Sequence, residues 1–251
     1  MLSNRVEGQL LNGASIGLNQ FSGHSGEEGD RGLFLGGGGS ETMKVTAMTK
    51  LNEAAADDKL TISFWQFLNS IEAAHAFYGQ DPSAGASQRG LSAHTPWPDG
   101  SFYFDTSGGR VSQSHPNPQS YVNQWAHFAL VKDGPKQQIW INGGLYHEET
   151  GMGPLTTEFR NLWIGSDIDG VRSTEGRIDD FALFGMPLGS GAIGQLANHV
   201  RADALYDEDQ NLVANPTEGT ADVKSLLEIV GFSDDPVYYY VVVSGNYNGN
   251  V

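Results

Sequence analysis

The sequence contains no cysteine and only 14 lysine and arginine residues, against 30 aspartate and glutamate residues. The absence of thiols excludes a cysteine nucleophile, an iron–sulfur cluster, cysteine-ligated zinc and disulfides. The formal charge of −16 repels phosphate backbones, so the composition argues against nucleic-acid binding. The excess of carboxylates leaves oxygen ligands for cations such as Ca²⁺, although a solvated acidic surface is the simpler explanation.

Long hydrophobic runs are also missing. No window approaches the roughly 20 apolar residues that a membrane-spanning helix needs. The first residues lack the apolar core of a signal peptide. We therefore expect no membrane insertion, and if the protein is exported, its signal peptide is absent from this chain.

Glycine and aromatic residues are plentiful, with 33 Gly, 12 Phe, 9 Tyr and 5 Trp. Many turns combined with aromatic side chains favour short β-strands over helices. A single all-β sandwich of about 200–250 residues is ordinary. The composition and length predict one domain over residues 1–200, followed by an appendage over residues 201–251.

The stretch from Trp125 to Tyr146 has the clearest strand pattern. Its apolar runs are separated by Asp133-Gly134-Pro135 and by Asn142-Gly143-Gly144, which supply turn geometry. This spacing predicts an antiparallel meander of three strands. A further strand is predicted over Leu60–Phe67, whose apolar residues on both faces indicate cover on both sides or one face in a binding groove.

The character of the chain changes near residue 201. Residues 203–218 are polar and are predicted to be a linker. Residues 223–230 have apolar residues at helical spacing and predict a short helix, and Val237–Val243 is an uncharged run of high β propensity. An exposed edge of that composition would aggregate, so the final strand must be covered. It either pairs within its own sandwich or adds to a second copy of the chain.

Several motifs, in order, resemble those of LamG-like, concanavalin A-like jelly-roll domains of the secreted bacterial type. The matching stretches are Gly32–Leu35, Leu60–Phe67, Trp125–Val131, Ile141–Gly143, His94–Gly100, Trp163–Gly165 and Gly176–Asp180. The resemblance covers residues 5 to 200 and implies an antiparallel two-sheet jelly-roll sandwich with a short helix near 188–197. It also implies an extracellular or cell-surface location and an activity in glycan binding or adhesion.

No catalytic arrangement is evident. Glu175 with Asp179 and Asp180 lacks the spacing that places two carboxylates on one strand face in retaining glucanases. The Gly-x-Ser-x-Gly pattern at residues 13–17 lacks the strand and helix that a nucleophile elbow needs. His127 is interpreted as a hydrogen-bonded structural residue. We therefore expect a non-catalytic binding module.

Aromatic residues provide the candidate ligand-binding positions. Trp140 alternates with Ile139 and Ile141, and Trp163 alternates with Leu162 and Ile164. If the aliphatic residues face the core, Trp140, Trp163 and Tyr103 lie on the other sheet face, where flat rings can stack on sugars. Trp97, in the stretch from His94 to Gly100, joins this set. Cover of these rings by the tail or by loops is the competing expectation.

A calcium site is predicted in the loop after residue 165. Asp167, Asp169 and Gly170 resemble the first half of a calcium-binding loop, and Glu175 supplies a further carboxylate. A solvated acidic turn is the alternative, since the full twelve-residue pattern is absent.

The sequence thus predicts a module that recognises a polysaccharide or surface glycan. The alternative is a structural subunit of a surface filament or lattice, joined to other copies of itself through the C-terminal strand.

Overall fold

Alternating side chains and closely spaced turns fold the chain into two antiparallel sheets of seven strands each. The computed structural model describes residues 5–17, 19, 22–28, 30–36, 39–199, 226–229 and 241–244, of which 5–7, 226–229 and 241–244 are described as backbone only. The front sheet contains, in spatial order, β1 (Arg5–Leu11), β4 (Thr42–Val45), β13 (Asn161–Ile164), β6 (Phe77–Gln80), β7 (Arg89–His94), β8 (Ser101–Thr106) and β9 (Gly109–Ser114). The back sheet contains β12 (Gly144–Glu149), β11 (Lys136–Ile141), β10 (Trp125–Asp133), β5 (Lys59–Leu68), β14 (Gly176–Phe184), β3 (Leu33–Leu35) and β2 (Ser15–Ile16).

The jelly-roll fold class predicted from the motifs is confirmed, and so is the meander of Trp125 to Tyr146. It forms β10, β11 and β12, which pair in sequence order. The strand predicted at Leu60–Phe67 is β5, which lies between β10 and β14 in the middle of the back sheet. Its central position explains why both of its faces are apolar.

The core lies between the sheets and is centred on Phe64 of β5. The Phe64 ring lies 5.6 Å from Phe128, 5.8 Å from Phe181 and 6.0 Å from Phe77, measured between ring centroids. These rings come from β10, β14 and β6, so one contact group joins both sheets. Offset and edge-on aromatic pairs add to the free energy gained by burying apolar area.

Two helices complete the described part of the chain. Helix α1 (Thr49–Ala56) buries Leu51, Ala54 and Ala55, while α2 (Ser190–Ala197) packs across the outer face of the back sheet. The predicted short helix near 188–197 is confirmed by α2. Neither helix has the length and apolar character of a membrane span.

Two C-terminal strands connect the sheets. Strand β15 (Leu226–Ile229) pairs with residues 5–7 of β1 and with β16 (Val241–Ser244), and β16 pairs with β14. The helix predicted over residues 223–230 is therefore wrong for the four residues of β15, because pairing on both sides outweighs a short helical pattern. Residues 237–240 of the predicted final strand lie outside the described residues. The pairings seen for β16 are with strands of its own chain, and both the domain boundary near residue 200 and self-association stay predictions.

Candidate functional site on the front sheet

The register of the front sheet aligns one row of large and polar side chains across its outer face. Trp163 of β13 is paired with Tyr78 of β6, and the row continues onto β7 and β8. The alternation of β-strands places all of its members on the face opposite the core. From one side of the sheet to the other, the row contains Lys44, Trp163, Tyr78, Ser92, Asp105 and Arg110.

Two half-buried aromatic rings, Trp97 and Tyr103, lie beside this row. The centroid of His94 is 4.5 Å from the Trp97 ring and 5.7 Å from the Tyr103 ring. A tight turn holds Trp97, because its N–H donates to the Ser101 carbonyl at 2.9 Å and its carbonyl accepts from Gly100 N–H at 2.8 Å. Gly100 has a φ of +81°, which a residue with a Cβ rarely adopts.

Asp105 organises the charged part of the face. Arg89 Nη1 donates to Asp105 Oδ2 at 2.8 Å, and Arg110 donates to both carboxylate oxygens through Nε and Nη2. The Arg110 guanidinium also lies 4.8 Å from the centroid of the Tyr103 ring. The fork-like pair of bonds fixes the plane of the Arg110 guanidinium, while Arg89 makes a single bond. Arg110 therefore lies in a set orientation beside the aromatic rings.

The histidines beneath the rings are neutral at physiological pH. Burial, together with the charges of His94, Arg172 and Arg89, lowers the pKa of His75 to about 2. Burial also lowers the pKa of His94, an effect that its bond to the Ala74 carbonyl and the charge of Asp105 partly offset. A 2.8 Å contact between His94 Nδ1 and that carbonyl assigns the proton to Nδ1. Neither imidazole suits a general base that cycles near pH 7.

Cationic side chains lie on this face although the chain is acidic, and Asp99, Asp105 and Asp167 lie beside them. Lys44 Nζ lies 4.5 Å over the Trp163 ring, and Arg172 is close enough to His75 and Tyr78 to affect their pKa values. With Arg89 and Arg110, four of the chain's 14 lysine and arginine residues lie here. The face can therefore offer aromatic surface and cationic donors to one ligand.

The four aromatic residues singled out in the sequence have different positions. Trp97 and Tyr103 are half-buried on the front face, and Trp163 lies on the same face but is only 1% exposed. Trp140 is on the outer face of the back sheet and is 8% exposed, because Ile193 and Leu196 of α2, together with Leu188 just before the helix, share its apolar cluster. Both indoles point away from the core, as the alternation predicted, but an exposed platform of Trp140 and Trp163 on one face is wrong. They lie on different sheets and both are buried, and the alternation of side chains along a strand does not reveal what covers them.

The predicted calcium loop does not bring its carboxylates together. Asp167 Oδ2 accepts from Arg172 at 3.3 Å, Asp169 is solvent-exposed with a φ of +59°, and Glu175 accepts from Ser70 at 3.1 Å. Burial raises the pKa of Asp167 to about 6, against the opposing effect of Arg172. Calcium binding by this loop stays a prediction.

Within the described residues, one set of three histidine and carboxylate ligand atoms lies within 4.8 Å: that of His24, Asp30 and Asp179, on the back sheet. Sequence reasoning missed His24 and Asp30 because their partner is about 150 residues away. Sequence reasoning also missed His75, Arg89 and Arg110. The alternation along β8 indicated only that Tyr103 and Asp105 share one face of the sheet.

Solved structures with a similar fold come from neurotoxin binding domains. The receptor binding domain of the botulinum neurotoxin C/D mosaic serotype is 15% identical with a TM-score of 0.56, over 82% of this chain and 50% of that chain. The binding domain of botulinum neurotoxin DC, solved in complex with rat synaptotagmin II, is 15% identical with a TM-score of 0.55, over 83% and 50%. The same domain in complex with SialylT is 15% identical with a TM-score of 0.56, over 80% and 48%. The chain thus spans about half the length of these structures, and the likeness concerns the fold alone.

No curated protein matches the chain. The model of one family, Laminin_G_3, matches residues 12–194 and so most of the sandwich. With its two seven-stranded antiparallel sheets and this match, the chain belongs to the Laminin_G_3 family of the concanavalin A-like lectin/glucanases superfamily.

Proposed function

We propose that this chain is a non-catalytic extracellular binding module that recognises acid-bearing glycans on the outer face of its front sheet. The observation that carries the proposal is the packing of the Trp97 and Tyr103 rings around His94, with the Arg110 guanidinium over the Tyr103 ring. Aromatic rings stack on the apolar faces of sugars, and an arginine fork matches the geometry of a carboxylate or sulfate.

The arginines keep donors for a ligand. Arg110 has five N–H donors, and its bonds to Asp105 use the Nε and Nη2 atoms. Asp105 therefore orients the guanidinium while further N–H groups remain to bind an anionic substituent. The fold is consistent with such a role, since the similar structures include receptor-binding domains, one of them solved in complex with SialylT.

The histidines of this face favour a binding role without catalysis. His75 and His94 are held neutral beneath the rings, so neither suits a general base that cycles near pH 7. Hydrolysis of a glycosidic bond needs two carboxyl groups flanking the bond. Asp105 is instead hydrogen-bonded to both arginines, which makes it a positioning group for their donors.

An array of neutral, uronic acid-containing, sialylated and sulfated glycans tests the proposal, followed by calorimetry with the best ligand. We expect acid-bearing glycans to bind, and Trp97→Ala and Arg110→Gln to weaken binding at least tenfold. Trp125→Ala and Lys136→Gln, which lie on the back sheet, serve as matched controls and should bind normally. Preference for neutral glycans, unchanged binding by both front-face variants, or release of sugar from the bound ligand would each contradict the proposal.

A further inference from the structure

A second cluster of polar groups lies on the outer face of the back sheet, away from the proposed glycan site. His24 Nδ1 is 3.0 Å from Asp179 Oδ2, 3.8 Å from Asp180 Oδ2 and 3.9 Å from Asp30 Oδ2. One ligand atom from each of His24, Asp30 and Asp179 lies within 4.8 Å of the other two. We refer to these three residues as the His24 cluster.

The His24 cluster is held by the fold rather than by chance contact of surface side chains. The backbone N–H of His24 donates to Asp179 Oδ2 at 2.8 Å, and the N–H of Asp180 donates to Asp179 Oδ1 at 2.9 Å. The N–H and the hydroxyl of Ser25 donate to Asp30 Oδ2 at 2.9 and 2.6 Å. The ring of His24 is stacked on Trp65 at 4.6 Å between centroids. Ligand orientation by such surrounding bonds is typical of metal sites.

Three carboxylates surround the imidazole of His24, because Asp180 lies beside the two of the cluster. The side chain of Asp179 is fully buried and that of His24 is only 5% exposed, while Asp30 and Asp180 are partly buried. A divalent cation bound at this position would place positive charge among carboxylate oxygens that lie 3.0, 3.8 and 3.9 Å from His24 Nδ1.

We propose that His24, Asp30 and Asp179 bind a divalent transition metal ion of the Zn²⁺ class. An imidazole nitrogen with two carboxylate oxygens is a donor set that suits Zn²⁺ and its neighbours, whereas Ca²⁺ and Mg²⁺ take oxygen ligands. A tetrahedral ion with bonds of about 2.0 Å holds its ligand atoms about 3.3 Å apart. The 3.0 and 3.9 Å separations from His24 Nδ1 to the two carboxylates lie close to that value.

The bound ion would tie His24 and Asp30 to β14, which is the strand that also pairs with β5 and β3. Metal binding should therefore be detectable both as a binding event and as an increase in the stability of the fold. Ligands that bind only the folded state raise its melting temperature with concentration.

Calorimetric titration of chelator-treated protein with Zn²⁺, and separately with Ca²⁺, tests the proposal. The visible absorption spectrum of the Co²⁺-substituted protein reports whether nitrogen and oxygen atoms bind the ion. Every protein compared carries His147→Gln, because His147 and Glu149, 3.1 Å apart, form a separate surface pair. The test variants are Asp30→Asn and His24→Gln. The control is Asp169→Asn, which changes an exposed carboxylate of the predicted calcium loop at a left-handed position that asparagine tolerates.

We expect one Zn²⁺ per chain, a rise in melting temperature, and affinity weakened at least about tenfold in both test variants and unchanged in the control. If His24→Gln fails to fold, Asp30→Asn decides, since its partly exposed side chain keeps acceptor capacity for Ser25. Absence of Zn²⁺ binding by the folded parent, equal affinity in Asp30→Asn, or tighter binding of Ca²⁺ than of Zn²⁺ would overturn the proposal.

Discussion

Lys132 is fully buried at one end of the sandwich, where its Nζ donates to Asp58 Oδ2 at 2.8 Å. The same amine donates to the Gly134 carbonyl, and Asp58 Oδ1 accepts from the N–H of Leu155 at 2.9 Å. A charge without access to water depends on such partners. This pair therefore links the turn after β10 to the end of α1 and to the loop after β12.

Asp58→Asn should lower the free energy of unfolding by about 3–5 kcal/mol, because it leaves the buried Lys132 ammonium without a counter-charge. Asn tolerates the left-handed φ of +54° at this position, so the substitution removes the negative charge of residue 58 without straining the backbone. Urea denaturation measures the effect. Lys136→Gln, which breaks a 3.7 Å exposed pair with Asp133, is the control and should cost no more than about 1 kcal/mol. A double variant Lys132→Met/Asp58→Asn that is less stable than Asp58→Asn alone would argue against this account.

Trp140→Ala should destabilise the chain by about 3–5 kcal/mol and leave glycan binding intact, since the indole fills the space beneath α2. Leu145, its cross-strand neighbour on β12, is 49% exposed. Leu145→Ala should therefore change the stability by about 0.5 kcal/mol or less. Chemical denaturation measures the stability of both variants. A loss of glycan binding in a folded Trp140→Ala protein would indicate that the binding site lies on the back sheet and would contradict a front-sheet site.

Acid should destabilise the chain through its buried neutral histidines. Burial, with the charges of His24 and His199, lowers the pKa of His127 to about 3, and its Nε2 lies 2.8 Å from Ser63 Oγ. The unfolded chain takes up this proton near its ordinary pKa of about 6.5. Neutral His127 therefore makes its full contribution to the free energy of unfolding above that pH. This contribution is lost as the pH falls towards 3, at about 1.4 kcal/mol per pH unit.

His127→Gln tests this dependence, because glutamine keeps hydrogen-bonding capacity towards Ser63 but takes up no proton. Below pH 6, the free energy of unfolding of this variant should depend less steeply on pH than that of the parent. The difference in slope should correspond to about one proton fewer taken up on unfolding. His147→Gln, at a partly exposed position on β12, is the matched control for the loss of a histidine. Equal slopes in His127→Gln and the parent would contradict the expected effect.

Deleting residues 220–251 should lower stability without changing the oligomeric state, because β15 and β16 pair with β1 and β14 of the same chain. Thermal denaturation and light scattering together make the measurement. A truncated protein that stays equally stable but no longer assembles would instead favour the surface-lattice alternative.

The sequence predicted the strands well where alternation and turns coincide, as in Trp125–Tyr146 and Leu60–Phe67. It also predicted that Trp140 and Trp163 point away from the core, but not that they lie on different sheets. It did not predict what covers those faces, because cover by α2 depends on how a later segment packs and not on local pattern. The pairing of Asp105 with Arg89 and Arg110 was equally hidden, since it depends on the register of β7, β8 and β9. Leu226–Ile229 shows the opposite failure, in which a weak helical spacing was outweighed by strand pairing on both sides.

The bonds between His24 and Asp179 join residues 155 positions apart in the sequence. Contacts of such long separation close late, because the chain must first lose the entropy of the intervening segment. During synthesis, the segment that carries His24 is made long before β14, so it cannot reach its final position until most of the chain has been made. We therefore expect this segment to be among the last parts of this protein to gain protection from hydrogen exchange during refolding.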